Sequence, residues 1–145
     1  PIVELLSRIS QKIRITIVAH PRTMKSLNRF GLRSILEDAD NIMLVQPMPY
    51  IKFMNVVIGA KLILTDSGGL QEESTYLGIP CLTLRDNTER PITISMGTNR
   101  LVKLNQIEAH LASILNGKWP SGRCPPLWDG NTAERAVTAL EERYG

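Results

Sequence analysis

The spacing of apolar residues along the chain alternates between the patterns of strands and helices. Short apolar runs rich in β-branched residues predict strands, and apolar positions three or four residues apart predict helices. The predicted strands cover residues 14–20, 41–47, 61–66, 80–86 and 99–104. The predicted helices cover residues 1–12, 23–40 (with a weak point at Gly31), 50–60, 69–78, 105–117 and 131–145, and a loop rich in Pro and Gly covers 118–130.

This alternation is typical of βαβ units, whose strands run parallel in one sheet. The predicted fold class is therefore α/β, with a Rossmann-like doubly wound parallel sheet. A chain of 145 residues suits one domain. The apolar positions of residues 1–12 fit the end of an amphipathic helix without a cap, so we expect the chain to be a piece of a longer protein.

Composition and charge exclude several classes of partner. The chain is 43% hydrophobic and 21% charged, with a net charge of +3 and no Lys/Arg run interleaved with aromatic residues, so no nucleic-acid partner is expected. No apolar run of 18 residues predicts a membrane span. Cys81 and Cys124 lack metal-ligand spacing, and Cys81 is expected to be a small core residue. We expect a cytoplasmic protein without a metal or a cofactor.

Chemically suggestive residues follow three of the predicted strands. They are His20-Pro21-Arg22, Asp66-Ser67-Gly68-Gly69, and Arg85-Asp86 leading into Thr88-Glu89-Arg90-Pro91. Ligands of such sheets bind outside the carboxyl ends of the strands. The three segments would open onto one edge, which predicts a binding site there.

Ser67 allows two functional interpretations, because Asp-Ser-Gly-Gly also surrounds the nucleophile of trypsin-like proteases. A nucleophilic serine needs a base, and the chain has only His20 and His110, the latter within an apolar helix. The motif joins a strand to a helix and lacks the Gly-x-Ser-x-Gly pattern of hydrolases. Anion binding by Ser67, Gly68 and Gly69 at a helix N-terminus is therefore favoured over nucleophilic catalysis, with a plain N-cap as the alternative.

Further residues restrict the kind of ligand that the site is expected to bind. Glu73 lies one turn after Gly69, where a carboxylate suits sugar hydroxyls better than phosphate, and this combination indicates a nucleotide-sugar. Arg90 would neutralise a diphosphate, or it belongs to a surface ion-pair cluster. His20 and Arg22 form either a simple strand-end turn or a ligand-facing pair. Phe53 is either a core residue or a platform that stacks on a base.

Several segments together resemble a known family. HPRT (20–23), QPMPYIKF (46–53), LTDSGGLQEESTYLGIPCLTLRDNTERP (64–91), GTNRLV (97–102) and WDGNTAERAV (128–137) are similar to the carboxyl-terminal half of the non-hydrolysing UDP-N-acetylglucosamine 2-epimerases. The resemblance implies a two-domain fold of the glycosyltransferase-B type. Residues 1–145 would form its UDP-binding domain, with 1–12 the end of an interdomain helix, 131–145 the C-terminal helix, and the amino-terminal catalytic half outside this chain.

The resemblance also implies roles for individual residues. Ser67, Gly68 and Gly69 would hold the diphosphate of UDP, Glu73 the ribose, and Arg90 the nucleotide. The backbone near Met48 and the ring of Phe53 would frame the uracil. His20 and Arg22 would face the interdomain cleft or a regulatory site.

The family's reaction inverts C2 of the sugar by elimination and re-addition of UDP, with acids and bases from the amino-terminal half. No catalytic residue is therefore expected in this chain. The implied partners are a UDP-sugar, the protein's own amino-terminal domain and a second copy in a homodimer. Ile92 stands where the family has Glu, and Lys103-Leu104-Asn105 where it has Gly and an acidic residue. A hydrolysing epimerase, a related glycosyltransferase and a non-catalytic nucleotide-sugar module stay open as alternatives.

Overall fold

The computed structural model describes residues 1–144 in two compact units, the first being Pro1–Val56 and the second starting at Val57. All the strand pairs described are parallel, and helices separate the strands along the chain. The predicted α/β class with parallel sheets is therefore confirmed. Gly145, the last residue of the predicted segment 131–145, lies outside the described residues. The single UDP-binding domain predicted for residues 1–145 stays a prediction.

The first unit contains a two-stranded parallel sheet covered by helices. Strands β1 and β2 pair in register from Ile15 with Ile42 to Val18 with Val45. The buried side chains of Val3, Leu27 and Leu36 form its core. The elements in chain order are α1 (Ile2–Ser10), β1 (Ile15–Val18), α2 (Pro21–Arg29), α3 (Arg33–Glu37), β2 (Ile42–Val45) and the beginning of α4 (Tyr50–Ile58).

The helix predicted over residues 23–40 is two helices with a break at Gly31. Gly31 has a φ of +64°, a left-handed conformation that ends a helix and that glycine adopts without strain. The first of the two helices starts earlier than predicted. Its start is set by Pro21 at the first helical position and by His20, whose Nδ1 accepts a hydrogen bond of 3.3 Å from the Arg22 N–H.

The second unit contains a three-stranded parallel sheet of order β3-β4-β5. Thr65, Thr83 and Leu101 lie side by side at the carboxyl ends of the three strands. The elements in chain order are β3 (Ile63–Thr65), α5 (Gly68–Leu77), β4 (Cys81–Thr83), α6 (Pro91–Ser95), β5 (Asn99–Leu101), a 3₁₀ turn (Leu104–Gln106), α7 (Ile107–Leu115) and α8 (Thr132–Tyr144).

The centre of this sheet is fully enclosed. Cys81 and Leu82 on β4 have no exposed surface, as expected for a middle strand covered on both faces. Cys81 is therefore the core residue that the sequence predicts, and its burial raises the pKa of the thiol. Helix α5 ends at Gly78, whose φ of +70° and N–H bonds to Ser74 and Thr75 close its last turn.

Helix α6 was missed by the apolar pattern because it has only five residues and starts directly at Pro91. Helix α8 follows the predicted loop, and none of its side chains is buried in this chain. Across residues 1–144, no helix combines the length and the apolar character that membrane crossing needs. Those residues also contain no group of His, Cys, Asp or Glu side chains arranged to hold a metal ion.

Candidate anion-binding site

The site begins where β3 passes into α5. Ser67 occupies the N-cap position with an extended backbone, φ −84° and ψ 126°, and its side chain makes no capping hydrogen bond. Its own N–H is held by the hydroxyl of Thr65 at 3.0 Å. The alternative of a plain serine N-cap therefore lacks the bond that defines it. The exposed hydroxyl of Ser67 is free to meet a ligand.

The amides of the first turn of α5 point away from the helix without intrahelical partners. The first helical bond of this turn is donated by the Gln71 N–H to the Ser67 carbonyl at 3.3 Å. The N–H groups of Gly68 and Gly69 precede it and have no carbonyl four residues back in the helix. They lie at the positive end of the helix dipole, which favours an anion.

Open space in front of these two glycines makes the backbone there accessible to a ligand. A Cβ atom at Gly69 would meet no atom within 4 Å, and one at Gly68 would meet only Cγ of Arg90, at 4.0 Å. Neither glycine has a positive φ. The backbone conformation therefore does not require glycine at either position, and the absence of side chains leaves both amides accessible to a ligand.

Arg90 lies beside this turn and is held by a carboxylate of α5. Its Nε is 3.0 Å from Oε1 of Glu72, and both side chains are about two-fifths exposed, at 42% and 40%. The N–H of Nε has no well-directed hydrogen bond, so the contact is an ion pair. The Glu72 side chain thus turns towards the cation next to Gly68.

The surface ion-pair interpretation holds for the neighbouring arginine. Arg85 pairs with Glu89 at 3.6 Å, and Glu89 is 72% exposed. Such exposed pairs contribute little to stability. Arg90 also forms a partly exposed ion pair, with Glu72. It differs from Arg85 in its place beside the first turn of α5, where its Cγ lies 4.0 Å from the Cβ position of Gly68 and its charge adds to the positive end of the helix dipole.

Glu73 is half-buried on α5, one turn beyond Gly69. Within the part of the chain that the structure describes, no side chain or backbone group forms a hydrogen bond or an ion pair with its carboxylate. Such a carboxylate can accept hydrogen bonds from ligand hydroxyls. Its position agrees with the predicted role in binding a sugar, and that role stays a prediction.

A depression of about 430 Å³ lies over the carboxyl ends of β4 and β5. Neighbouring strands are about 4.8 Å apart, so the depression is within one or two strand widths of the end of β3. Lys103, one of the departures from the family pattern, contributes to its wall. The lining residues are Leu84, Arg85, Asp86, Val102, Lys103, Leu104 and Asn105. The other departure, Ile92, is half-buried in α6.

Four of the predicted site residues belong to the first unit. His20 and Arg22 form the exposed start of α2, where His20 acts as the N-cap. Met48 and Phe53 are half-buried, and the Phe53 N–H donates to the Pro49 carbonyl at 3.0 Å in the first turn of α4. The structure thus brings together Ser67, Gly68, Gly69 and Arg90. The roles of His20, Arg22, Met48 and Phe53 stay predictions.

No serine–histidine pair forms in the second unit. The ring of His110 packs edge-on against Trp119 with centroids 5.5 Å apart. Among the residues described in this unit, no histidine forms a hydrogen bond with Ser67. The nucleophile interpretation therefore has no base there to activate the serine.

Sequence reasoning missed the buried polar residues behind the site. Gln71 and Asn99 have no exposed surface, and the hydroxyl of Thr88 donates to Oε1 of Gln71 at 2.6 Å. The sequence feature that could have revealed these residues is a polar side chain within a segment that is otherwise expected to be buried. Buried polar side chains are usually hydrogen-bonded, as Oε1 of Gln71 is here although its Nε2 has no partner, but the partner cannot be identified from spacing alone.

The family model described as UDP-N-acetylglucosamine 2-epimerase matches residues 1–141. The UDP-N-acetylglucosamine 2-epimerase of Methanococcus maripaludis is 41% identical over 147 aligned positions, which cover 96% of this chain and 38% of the relative. A probable UDP-N-acetylglucosamine 2-epimerase of Ralstonia nicotianae is 50% identical over 133 positions, covering 88% and 36%. This chain thus spans little more than a third of the length of these relatives.

Solved structures agree with the sequence matches. The UDP-GlcNAc 2-epimerase of Methanocaldococcus jannaschii superimposes with a TM-score of 0.81 at 39% identity, over 97% of this chain and 40% of that one. The same enzyme in complex with UDP-GlcNAc and UDP superimposes with a TM-score of 0.78 at 38% identity, over 97% and 38%. These neighbours have the glycosyltransferase-B type of fold that the sequence predicts. The chain belongs to the UDP-N-acetylglucosamine 2-epimerase family.

Proposed function

We propose that this chain is the UDP-binding part of a UDP-N-acetylglucosamine 2-epimerase, which converts UDP-GlcNAc to UDP-ManNAc by elimination and re-addition of UDP. The observation that carries the proposal is the first turn of α5. There the amides of Gly68 and Gly69 have open space in front of them, and Arg90 lies beside them with its Cγ 4.0 Å from the Cβ position of Gly68. Oriented amides, a helix dipole and a guanidinium are the groups that bind a diphosphate.

The diphosphate accepts hydrogen bonds from the Gly68 and Gly69 amides and from the Ser67 hydroxyl. Arg90 exchanges its ion pair with Glu72 for a phosphate oxygen, because two phosphate groups carry more charge than one half-exposed carboxylate. Glu73 accepts hydrogen bonds from the ribose hydroxyls. A carboxylate at this place rejects a third phosphate, so a nucleoside diphosphate linked to a sugar fits better than a triphosphate.

The rest of the proposed function follows the resemblance. The Phe53 ring and the backbone near Met48 frame the uracil, and His20 and Arg22 serve the cleft or a regulatory site. The groups that remove and return the C2 proton belong to the amino-terminal domain, which is the partner of this part. We propose a cytoplasmic enzyme, a homodimer that uses neither metal nor cofactor, and we place no catalytic residue in residues 1–145.

The test uses the complete gene product with UDP-GlcNAc in deuterium oxide, followed by NMR. Elimination removes the C2 proton and re-addition takes one from solvent, so UDP-ManNAc with deuterium at C2 is expected. Free ManNAc together with UDP would indicate the hydrolysing alternative, and transfer of the sugar to an added acceptor would indicate a glycosyltransferase. UDP binding without any turnover would indicate a non-catalytic module, the alternative that Ile92 and Lys103 favour.

A further inference from the structure

The main chain of Arg90 is held from both sides by threonine hydroxyls. The Arg90 N–H donates to Oγ1 of Thr88 at 3.0 Å. The Arg90 carbonyl accepts from Oγ1 of Thr93 at 2.7 Å. The backbone of Arg90 is therefore held in place, although its side chain is long and partly exposed.

Both threonines are tied to a pair of fully buried amides, Gln71 and Asn99. Oε1 of Gln71 accepts from the Thr88 hydroxyl at 2.6 Å and from Nδ2 of Asn99 at 3.1 Å. Nδ2 of Asn99 also donates to Oγ1 of Thr93 at 3.0 Å. The Thr83 hydroxyl on β4 completes the network by donating to Oδ1 of Asn99 at 2.7 Å.

Each threonine hydroxyl in this network has a single hydrogen to donate. The hydrogens of Thr88 and Thr93 are donated to Gln71 and to the Arg90 carbonyl, so only their lone pairs are left for the Arg90 N–H and for Asn99. A change at one hydroxyl therefore removes a particular bond to Arg90, and no rotation of the remaining hydroxyls can replace it.

The network also joins Arg90 to the helix that supplies the amides. Gln71 lies on α5 three residues after Gly68, and Asn99 lies on β5. The glycine amides and the guanidinium come from segments about twenty residues apart in sequence, and the network is a set of hydrogen bonds that connects these segments directly. An anion bound by both groups depends on that distance.

We propose that Thr88 is a positioning residue of the diphosphate site, which with Gln71 and Asn99 holds Arg90 at the distance from the Gly68 and Gly69 amides that a diphosphate needs. The inference rests on the proposed binding of UDP. Thr88 does not touch the ligand; it acts through the main chain of Arg90. Its effect on affinity should therefore disappear when the guanidinium is removed.

The experiment is a double-mutant cycle in the complete gene product, with UDP affinity measured by calorimetry. Thr88→Val removes the hydroxyl while keeping the side-chain shape, and we expect the Kd for UDP to rise about tenfold. Thr88→Ser should stay within about twofold of the unchanged protein, because the hydroxyl is retained. In an Arg90→Met background, Thr88→Val should add less than about twofold. If the valine variant does not fold, Thr88→Ala takes its place with the same expectation.

Thr98→Val is the matched control, because the Thr98 hydroxyl is buried and donates to the Ile79 carbonyl at 2.6 Å without touching Arg90. It should lower the melting temperature and leave the Kd unchanged. The positioning role of Thr88 would be overturned, with the diphosphate site left intact, by either of two results. One is that Thr88→Val binds UDP as tightly as the unchanged protein; the other is that Thr88→Val weakens UDP binding by the same factor with Arg90 present and in the Arg90→Met background. The proposed diphosphate site itself would be overturned if the unchanged protein did not bind UDP, or if Arg90→Met bound UDP as tightly as the unchanged protein.

Discussion

Gly69→Ala should stabilise the protein and weaken its binding of the ligand. One added methyl group would thus have two effects of opposite sign. Gly69 lies in the first turn of α5 without a positive φ, and the new Cβ would meet no atom within 4 Å. Alanine at such a position gains about 0.5–1 kcal/mol, because it restricts the unfolded chain and favours the helix. For a protein of this size, that gain raises the melting temperature by about 2–4 °C.

The ligand is affected because the methyl group fills the space in which we place a phosphate. The phosphate must move away from the Gly68 and Gly69 amides, which lengthens hydrogen bonds to a charged group that contribute about 1.5–3 kcal/mol each. Loss of one such bond raises the Kd for UDP by about 10- to 150-fold. Calorimetric titration with UDP and a thermal melt of the same sample measure the two effects together.

Gly78→Ala provides the opposite control. Gly78 has a φ of +70°, where alanine is strained, so this variant should lower the melting temperature and leave the UDP affinity unchanged. The reasoning would be refuted if Gly69→Ala bound UDP as tightly as the unchanged protein. A lower melting temperature for Gly69→Ala would refute the claim that the glycine is kept for the ligand and not for the fold.

Three further expectations follow from other contacts. Glu72→Gln frees Arg90 from its ion pair, and since both side chains are about two-fifths exposed, the Kd for UDP should fall only about two- to fivefold in a calorimetric titration; weaker binding would contradict this. The hydrogen bonds from Arg135 lower the pKa of Asp129 from 3.8 to about 2, so its contribution to stability is present above about pH 4 and lost as the pH falls through about 2. The melting-temperature difference between the unchanged protein and Asp129→Asn should accordingly shrink over that range, and a constant difference would contradict the linkage. Thiol reagents should label the exposed Cys124 in the native protein and reach the buried Cys81, whose pKa is raised, only after unfolding; a native Cys124→Ser variant that still reacts would contradict this burial.

Much of the fold could be predicted because its signals are local. Every predicted strand is present, although each is shorter than predicted, since flanking residues of a short parallel strand fall outside the paired ladder. The pattern failed where a single residue decides the outcome. The positive φ of Gly31 divides one predicted helix into two, and Pro91 starts a five-residue helix too short to show a period.

The site was predictable where its chemistry belongs to the backbone. A strand followed by two glycines and a helix is enough to predict unpaired amides at the start of the helix. Ser67, Gly68 and Gly69 lie at that position in the structure. The contacts of Glu72 and the network behind Arg90 depend on tertiary neighbours. A sequence cannot show which of two adjacent carboxylates, Glu72 or Glu73, turns towards a cation about twenty residues away.

The family motifs also combine ligand-binding residues with residues that only pack. A Cβ at Gly97, in the GTNRLV segment, would collide with the side chain of Thr75 and lie 2.5 Å from the Thr93 carbonyl. That glycine serves close packing, whereas Gly69 has empty space around its Cβ position. Only the surroundings of each glycine separate the two cases.

The most direct test of the diphosphate site compares UDP with uridine, titrated into the complete gene product and followed by the amide NMR signals of Gly68 and Gly69. If the amides and Arg90 bind the diphosphate, UDP should shift both signals and bind at least about a hundredfold more tightly than uridine, since two or more charge-assisted bonds depend on the phosphates. Equal affinity for the two ligands, or UDP binding that leaves both glycine signals unchanged, would contradict the account.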